Sequence, residues 1–429
     1  MYAKIPGAFA SAFALYVVGA VSAPGGATAS GFALPEVSAA GVGTANALVA
    51  NPREVGAFAY NPAAMGFHDQ STVAVGAILI HPSFTVSNAA GSSDSQGADW
   101  YGAPVVQAAV RLSDRWRLGL GVNAPFGLET RWAYGTFPEL SQSVTRGSVT
   151  IPTGNHPTTS TLEVLDFVPS AAYRVSDNLS LGLGLDLYWA KSSQLDSNLA
   201  TFRGDGNGIG FNLSALYRLD ALSLGIAYRS GGTLSIDGGY TPQVLPLVAA
   251  GRLVPGQPAS ADLNLPWSLQ LGVRYEFSPD LAVELDWTRT GWSEFDQLEL
   301  KGDSTGTLIL ADVNDWDDAN AYRLGLTYQM LPRTQLRFGY AYDETGQTED
   351  HFSARVPDSD RHLFGIGVAQ TLDQGLSLEL GYMYVFMDER SIRSDIPYVP
   401  GGEVNGTDAL NGDYKMDAHV IGLELVKAF

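Results

Sequence analysis

A chain of 429 residues with no linker, no change of composition after about residue 70 and no apolar run long enough for a membrane helix reads as one large all-β unit. Its formal net charge of −20 at pH 7 argues against a nucleic-acid partner, because phosphate binding calls for a basic face. The lack of cysteine excludes a disulfide framework and a thiol nucleophile.

At the start, Lys4 precedes an apolar run from Ala8 to Val21, and Ala27-Thr28-Ala29 places small residues ahead of Ser30. This order predicts a secretory signal peptide over 1–29 rather than a membrane anchor, since the run falls short of the roughly 20 residues that a span requires. The next stretch, 30–70, is rich in Ala and Gly, poor in charge and free of long alternation. It predicts a compact non-strand segment ahead of the strands, a hatch or plug.

From residue 71 to 429 the pattern alternates. Leu179, Leu181, Leu183, Leu185, Leu187 and Trp189 share one face of a strand, and Ser180, Gly182, Gly184, Asp186 and Tyr188 share the other. Rows such as Leu222, Leu224, Ile226 and Tyr228, or Leu281, Val283, Leu285 and Trp287, repeat the split. So does the row from Leu376 through Leu378, Leu380, Tyr382 and Tyr384 to Phe386. Aromatic residues at the ends of such rows resemble the interfacial girdles of membrane barrels. Short turns near Ser113-Asp114, Ser176-Asp177-Asn178, Leu219-Asp220, Ser278-Pro279-Asp280, Leu331-Pro332-Arg333 and Leu372-Asp373-Gln374 alternate with long connections. The long ones fall near 87–100, 127–161, 191–208, 237–262, 302–318, 344–358 and 388–413. Six short turns and seven long loops predict a transmembrane antiparallel β-barrel of about 14 strands over 71–429, with the short turns facing the periplasm. About eight strands already give an interior that side chains just fill, so the excess lumen is assigned to the hatch over 30–70. In the last strand Lys427 departs from an apolar row, and its ammonium is expected to snorkel to the periplasmic interface.

Several of these stretches resemble the outer-membrane long-chain fatty-acid transporter (FadL) family, including its aromatic-hydrocarbon uptake relatives. The resemblance rests on Gly31-Phe32, Gly41-Val42-Gly43 and Asn61-Pro62-Ala63 in the hatch. It continues through Pro125-Phe126-Gly127, Pro169 with Ala172-Tyr173-Arg174, Leu265-Pro266-Trp267, Pro357-Asp358-Ser359-Asp360-Arg361 and Gly412-Asp413-Tyr414. The order and spacing of these short motifs over nearly the whole mature chain carry the match, not any one tripeptide. The resemblance implies passive uptake of hydrophobic molecules across the outer membrane of a Gram-negative bacterium. Cargo would bind in the lumen and leave sideways through a kink in the third strand. It also implies hatch and gating roles for Asn61, Pro62 and Ala63, and a tail of Gly31, Phe32 and Leu34 lying against the ligand. Ending on Phe429 is similar to the signal read by the outer-membrane assembly machinery.

The third strand, about Trp116 to Asn123, meets Asn123-Ala124-Pro125-Phe126-Gly127, where Pro125 cannot donate to a ladder and Gly127 weakens one. Either this segment interrupts the strand as a kink, or Pro125 ends the strand at its loop. Arg274, Arg323 and Arg337 lie opposite their strands' apolar rows and so face the lumen, where each could hold a carboxylate. Asp186, Glu284, Asp286, Glu379 and Glu424 face inward by the same parity, so ion pairing competes with that role. The loop segments Leu245-Pro246-Leu247-Val248 and Leu253-Val254-Pro255 are unusually apolar and could form either a landing site for cargo or a local cluster.

An enzyme is not expected: hydrolysis in a barrel would need a serine beside a histidine base on adjacent strands. No His-x-x-x-His pair suggests a metal, and the loop carboxylates Asp312, Asp315, Asp317 and Asp318 read as a solvated charge run. No cofactor is expected. The partners expected are a hydrophobic small molecule, outer-membrane lipid and lipopolysaccharide, with the chain as a monomer. Long-chain fatty acids are the first choice of cargo, with aromatic or alkane hydrocarbons second and a water-filled general porin as the competing class.

Overall fold

Alternating rows can satisfy a lipid bilayer only if every backbone N–H and C=O finds a partner within the sheet, which an open edge forbids. The computed structural model, which describes residues 31–96, 100–303 and 306–429, meets that demand by closure. The signal peptide expected over 1–29 lies outside the described residues.

Fourteen strands form the wall. The first seven are β1 (Thr72–Asn88), β2 (Tyr101–Arg111), β3 (Trp116–Arg131), β4 (Pro157–Arg174), β5 (Leu179–Ser197), β6 (Ala200–Leu219) and β7 (Leu222–Arg229). The rest are β8 (Ser268–Ser278), β9 (Leu281–Thr290), β10 (Ala319–Leu331), β11 (Thr334–Asp343), β12 (Arg361–Thr371), β13 (Leu376–Met387) and β14 (Gly412–Ala428). Each pairs antiparallel with its neighbours in chain order. The ring closes between β1 and β14, from Thr72 opposite Ala428 to Ser87 opposite Asp413, and the Phe429 N–H donates to the Ser71 carbonyl at 2.9 Å.

Side-chain parity follows the sequence. Leu181, Leu183, Leu185, Leu187 and Trp189 are 40–54 % exposed on the outer face of β5, while Ser180, Asp186 and Tyr188 are buried on the inner one. Near the short turns, Trp116, Tyr217, Tyr275 and Tyr328 stand on the outer face as one girdle. Lys427 Nζ reaches the Gln374 carbonyl in the short turn before β13, at the short-turn end of the wall.

The long connections differ from the sequence reading most at three places, 191–208, 237–262 and 302–318. Residues 191–208 are not a loop: β5 and β6 run on through them to a tight turn at 198–199, with a register shift between Ala190 and Ser193. The strands Gly232–Pro242, Gln257–Leu265, Gln297–Gly302 and Leu308–Val313 extend this projecting hairpin into an extracellular sheet. A ladder beyond the membrane needs no long apolar row, so the polar composition of 191–208 and of Gly232–Pro242 hid the extension, and the last two strands are only six residues long.

The hatch fills the lumen as three short turns. They are a one-turn helix α1 (Ala39–Gly43), capped by Ser38 Oγ accepting from the Gly41 N–H at 2.9 Å, and 3₁₀ turns at Val55–Ala59 and Pro62–Phe67. Its backbone lies directly on the wall. Gly325, Gly339 and Gly365 stand opposite one another across β10 to β12, Gly367, Gly381 and Gly422 across β12 to β14, and Gly225 and Gly272 across β7 and β8, all of them bare positions in a broken belt under the hatch. A Cβ at Gly381 would stand 2.5 Å from the Ala39 carbonyl oxygen, and one at Gly422 2.8 Å from the Ala39 Cα. Only glycine lets the two backbones approach so closely. Inward carboxylates complete the seat: Glu424 accepts from the Ala39 N–H at 2.7 Å, Asp286 from Val49 at 3.0 Å and Glu284 from Ala50 at 2.6 Å. Such hydrogen bonds contribute about 0.5–1.5 kcal/mol each.

Candidate functional site

The ladder between β2 and β3 is short. It runs from Arg111 opposite Arg117 to Val106 opposite Val122 and stops there, while β2 continues beside β1 as far as Tyr101. Beyond Val122, β3 keeps a partner only on the β4 side. There the register shifts from Asn123 opposite Asp166 to Phe126 opposite Val164, so one extra residue bulges out of β3 at Ala124-Pro125. The strand then continues to Arg131, which places Pro125 inside β3 rather than at its end.

The edge of β3 that β2 abandons is taken by the tail of the hatch. The Leu34 N–H donates to the Pro125 carbonyl at 2.7 Å and the Gly127 N–H to the Phe32 carbonyl at 2.8 Å, making Ala33 and Phe126 an antiparallel bridge. Proline has no N–H of its own to offer, but its carbonyl is the acceptor here. Phe32 is held in an aromatic box, with ring centroids 5.0 Å from Trp292, 5.2 Å from Phe295 and 5.9 Å from Phe126. Gly31, in the left-handed region at φ 60°, donates its N–H to Asp358 Oδ2 at 3.0 Å.

Under the tail lies a cavity that is partly open to solvent. The tail (Leu34, Pro35, Val37), the hatch turn (Ala59, Tyr60, Pro62) and the bulge (Asn123, Pro125, Phe126) form one side of it. The wall opposite contributes Ala227, Gln270, Thr288, Trp292 and the guanidinium groups of Arg229, Arg323 and Arg361. A second, smaller space shares Ala59, Pro62, Asn123 and Arg229 with the first and reaches Ala108 and Leu120, which belong to the outward rows of β2 and β3. The two spaces meet where the β2–β3 ladder ends.

The three inward arginines read from the sequence have different surroundings. Arg323 lines the cavity, donates from Nη1 to Thr288 Oγ1 at 2.6 Å and has a buried Nε without a partner among the described residues. Arg274 is buried against Glu284 at 3.4 Å, away from the cavity wall. Arg337 is locked beneath the hatch between Glu54 at 2.6 Å and Glu379 at 2.9 Å. Sequence reasoning missed Arg361, paired with Asp343 at 3.0 Å, and Arg229, held by Asp166 at 3.0 Å and by Asp186. Both had signals: Arg229 follows the apolar row ending at Tyr228, and Arg361 closes the motif Pro357–Arg361. In the hatch, burial pushes the Glu36 carboxyl above the usual carboxylate range, with the nearby Arg361 guanidinium opposing the shift.

Asn61 anchors the second 3₁₀ turn rather than the bulge. Its Nδ2 donates to the Val49 carbonyl at 2.7 Å and to Ala215 on β6 at 3.2 Å, and its Oδ1 accepts from the Ala63 N–H at 3.0 Å. The Ala63 N–H also reaches Ser214 Oγ at 3.1 Å, so Asn61 and Ala63 tie the hatch to β6 while Pro62 faces both spaces. Among the loop carboxylates, Asp312 is buried 3.6 Å from Arg355 and Asp318 lies 3.3 Å from Arg289. Leu245 begins a short extracellular helix, Leu245–Ala249, and is 70 % exposed. The stretch Gly302-Asp303-Ser304-Thr305-Gly306 has the Gly-x-Ser-x-Gly spacing of hydrolase elbows. It joins two strands of a hairpin rather than a strand to a helix, and Ser304 lies outside the described residues.

Comparison with known proteins bears on this geometry. A family model described as "Outer membrane protein transport protein (OMPP1/FadL/TodX)" matches residues 20–429. Over 408 residues the chain is 27% identical to the long-chain fatty acid transport protein of Escherichia coli O6:H1, covering 84% of this chain and 87% of that one. Its fold is similar to that of a Pseudomonas aeruginosa FadL homologue, with a TM-score of 0.80 at 21% identity, over 93% of this chain and 100% of that one. It is also similar to the Pseudomonas putida toluene transporter TodX, with a TM-score of 0.65 at 18% identity, over 88% of this chain and 94% of that one.

Proposed function

The chain belongs to the outer membrane protein transport family (OMPP1/FadL/TodX), and from that premise we propose that it takes up long-chain fatty acids passively and releases them sideways into the outer membrane. The observation that carries this reading is the wall above Val122, where β3 has lost β2 as a partner and the hatch tail holds its free edge. Backbone groups in a bilayer must be paired, so a strand edge closed around its bulge by a tail and not by a neighbouring strand is the point where the wall can open at least cost. Opening there lets an apolar chain pass directly into hydrocarbon without crossing the polar headgroup layer.

Apolar surface on the extracellular segment around Leu245 to Val248 is the proposed landing site. The cargo then enters the cavity, where Leu34, Val37 and Phe126 meet its chain and the unmet donors of Arg323 and Arg361 meet its carboxylate. Withdrawal of Phe32 to Leu34 from β3 frees the bulge, and the cargo leaves past Asn123 and Leu120. The step runs down a gradient. An aromatic or alkane hydrocarbon is the second reading, supported by the aromatic box around Phe32 and by the likeness to a structure named as a toluene transporter. A general porin is disfavoured by the hatch, whose turns lie against the wall belt.

Binding of a radiolabelled long-chain fatty acid to the detergent-purified barrel tests the reading, with toluene and a short-chain acid as unlabelled competitors. Competition by the long-chain acid alone is the expected result. Displacement by toluene would move the assignment to hydrocarbon uptake, and absence of saturable binding would overturn both.

A further inference from the structure

At the periplasmic mouth, an aromatic residue followed by arginine recurs on three strands: Trp116-Arg117 on β3, Tyr173-Arg174 on β4 and Tyr217-Arg218 on β6. Parity sends each aromatic ring outward and each guanidinium inward. The Arg174 and Arg218 guanidinium carbons lie 5.8 and 5.0 Å from the centre of one ring, Phe67, at the end of the hatch. Arg117, 1 % exposed, donates to the carbonyl of His68, the next residue, at 2.9 Å.

These charges are incompletely compensated: Asp69 and Asp114 act on Arg117, and Glu276 and Asp69 on Arg218, from beyond ion-pair distance. Three other arginines at this level have carboxylates, Arg53 with Glu276 at 2.5 Å, Arg111 with Asp114 at 2.5 Å and Arg333 with Asp373 at 2.9 Å, while Arg115 donates to the Tyr173 hydroxyl at 3.3 Å. Arg117 meets only carbonyls, of His68, Ser113 and Trp116, and its buried Nη2 has no partner among the described residues. Arg174 reaches one carboxylate, Asp177 at 3.4 Å, which is 98 % exposed, and its buried Nε is unmet. Arg218 has no ion pair among the described residues. Burial holds the His68 imidazole down to about 4, so it stays neutral near pH 7 and adds no charge of its own. Three converging guanidinium groups in a chain of net charge −20 call for an anion.

We propose that Arg117, Arg174 and Arg218 form an oxyanion site at the periplasmic mouth and that its ligand is a phosphate group. A tetrahedral phosphate presents enough oxygens to meet donors from three forks, whereas a carboxylate presents two. The outward rings of Trp116, Tyr173 and Tyr217 mark the headgroup level on the same strands. The phosphate therefore comes either from an inner-leaflet phospholipid headgroup or from solution. This site is independent of the cargo pathway.

The test titrates the purified barrel with inorganic phosphate by calorimetry. Retention of phosphatidylglycerol from vesicles of that lipid is then followed by native mass spectrometry. Arg218→Gln, which leaves the carbonyl contacts of Arg117 intact, is compared with Arg174→Gln/Arg218→Gln. Heat-dependent gel mobility confirms that each variant is folded. Saturable phosphate binding weakened about tenfold or more in Arg218→Gln supports the site and a dissolved ligand. Lipid retention that Arg218→Gln abolishes, without inorganic phosphate binding, supports the site and assigns it a headgroup. Binding of neither probe, or binding that both folded variants retain in full, overturns the proposal.

Discussion

The wall is closed in two unlike ways. At the β1–β14 seam, sixteen residue pairs run without a register shift from one end of the strands to the other. Between β2 and β3 only six pairs form, and the remaining edge of β3 is held by two backbone hydrogen bonds from the hatch tail and, at its far end, by Ser95 and Gln96 bonded to the Arg131 backbone. The hatch itself repeats the contrast. Its body is fixed by glycine contacts, carboxylates and the Glu54–Arg337–Glu379 ion network, whereas its tail is held by one backbone bridge to β3, the rings of Phe126, Trp292 and Phe295 around Phe32 and one hydrogen bond from Gly31 to Asp358. A plug with a firm body and a releasable tail opens a side path without unblocking the pore.

The contrast can be broken first on its firm side. Arg337→Met leaves Glu54 and Glu379 buried without their cation, and is expected to destabilise the folded barrel by roughly 3–5 kcal/mol, read as a lower denaturant midpoint. Gly381→Val drives side-chain atoms into the Ala39 carbonyl and is expected to cost about 1–3 kcal/mol. Its signature is ion conductance in planar bilayers as the hatch body lifts from the wall, and an unchanged conductance would mean that the belt does not seat the hatch.

On the releasable side the effects are smaller and concern ligand. Arg323→Gln removes an unmet donor from the cavity and is expected to weaken fatty-acid binding by about tenfold while leaving toluene binding unaltered. Equal loss for both ligands would point to a collapsed cavity instead. Glu36→Gln should have the least effect. The folded-state pKa of Glu36 is raised, so the charged carboxyl opposes folding: stability is greatest below its unfolded pKa and falls as pH rises through the folded one. The variant should therefore melt slightly higher than the parent at pH 7, with the difference vanishing in acid.

Much of this architecture is local and so was legible in the sequence. Alternation and turn residues give fourteen strands and six short turns, because each depends on neighbours two to four positions away. The hairpin through 191–208 was not legible, since a ladder outside the membrane carries no apolar row to announce it. Parity placed Arg274, Arg323 and Arg337 inward, but which of them reaches the cavity depends on register between strands. That register pairs Arg274 with Glu284 and sets Arg337 under Glu54, leaving Arg323 beside Thr288. The glycine belt was hidden for the same reason: each glycine looks like a small inward residue until neighbouring strands are aligned. The bulge at Pro125 was visible as a disturbance, but its partner, the tail around Ala33, lies about ninety residues away in the chain.

The most direct test of the gate is to fasten the tail to β3. The chain has no native cysteine, and Ala33 and Phe126 face each other as the non-hydrogen-bonded pair of an antiparallel bridge, a geometry with Cα atoms close enough for a disulfide. The double variant Ala33→Cys/Phe126→Cys, assayed for uptake in whole cells under oxidising and then reducing conditions, gives the measurement. Uptake that is blocked when the bond is formed and restored on reduction is the predicted result. Uptake that continues at the reduced rate with the bond intact would contradict release through the β2–β3 gap.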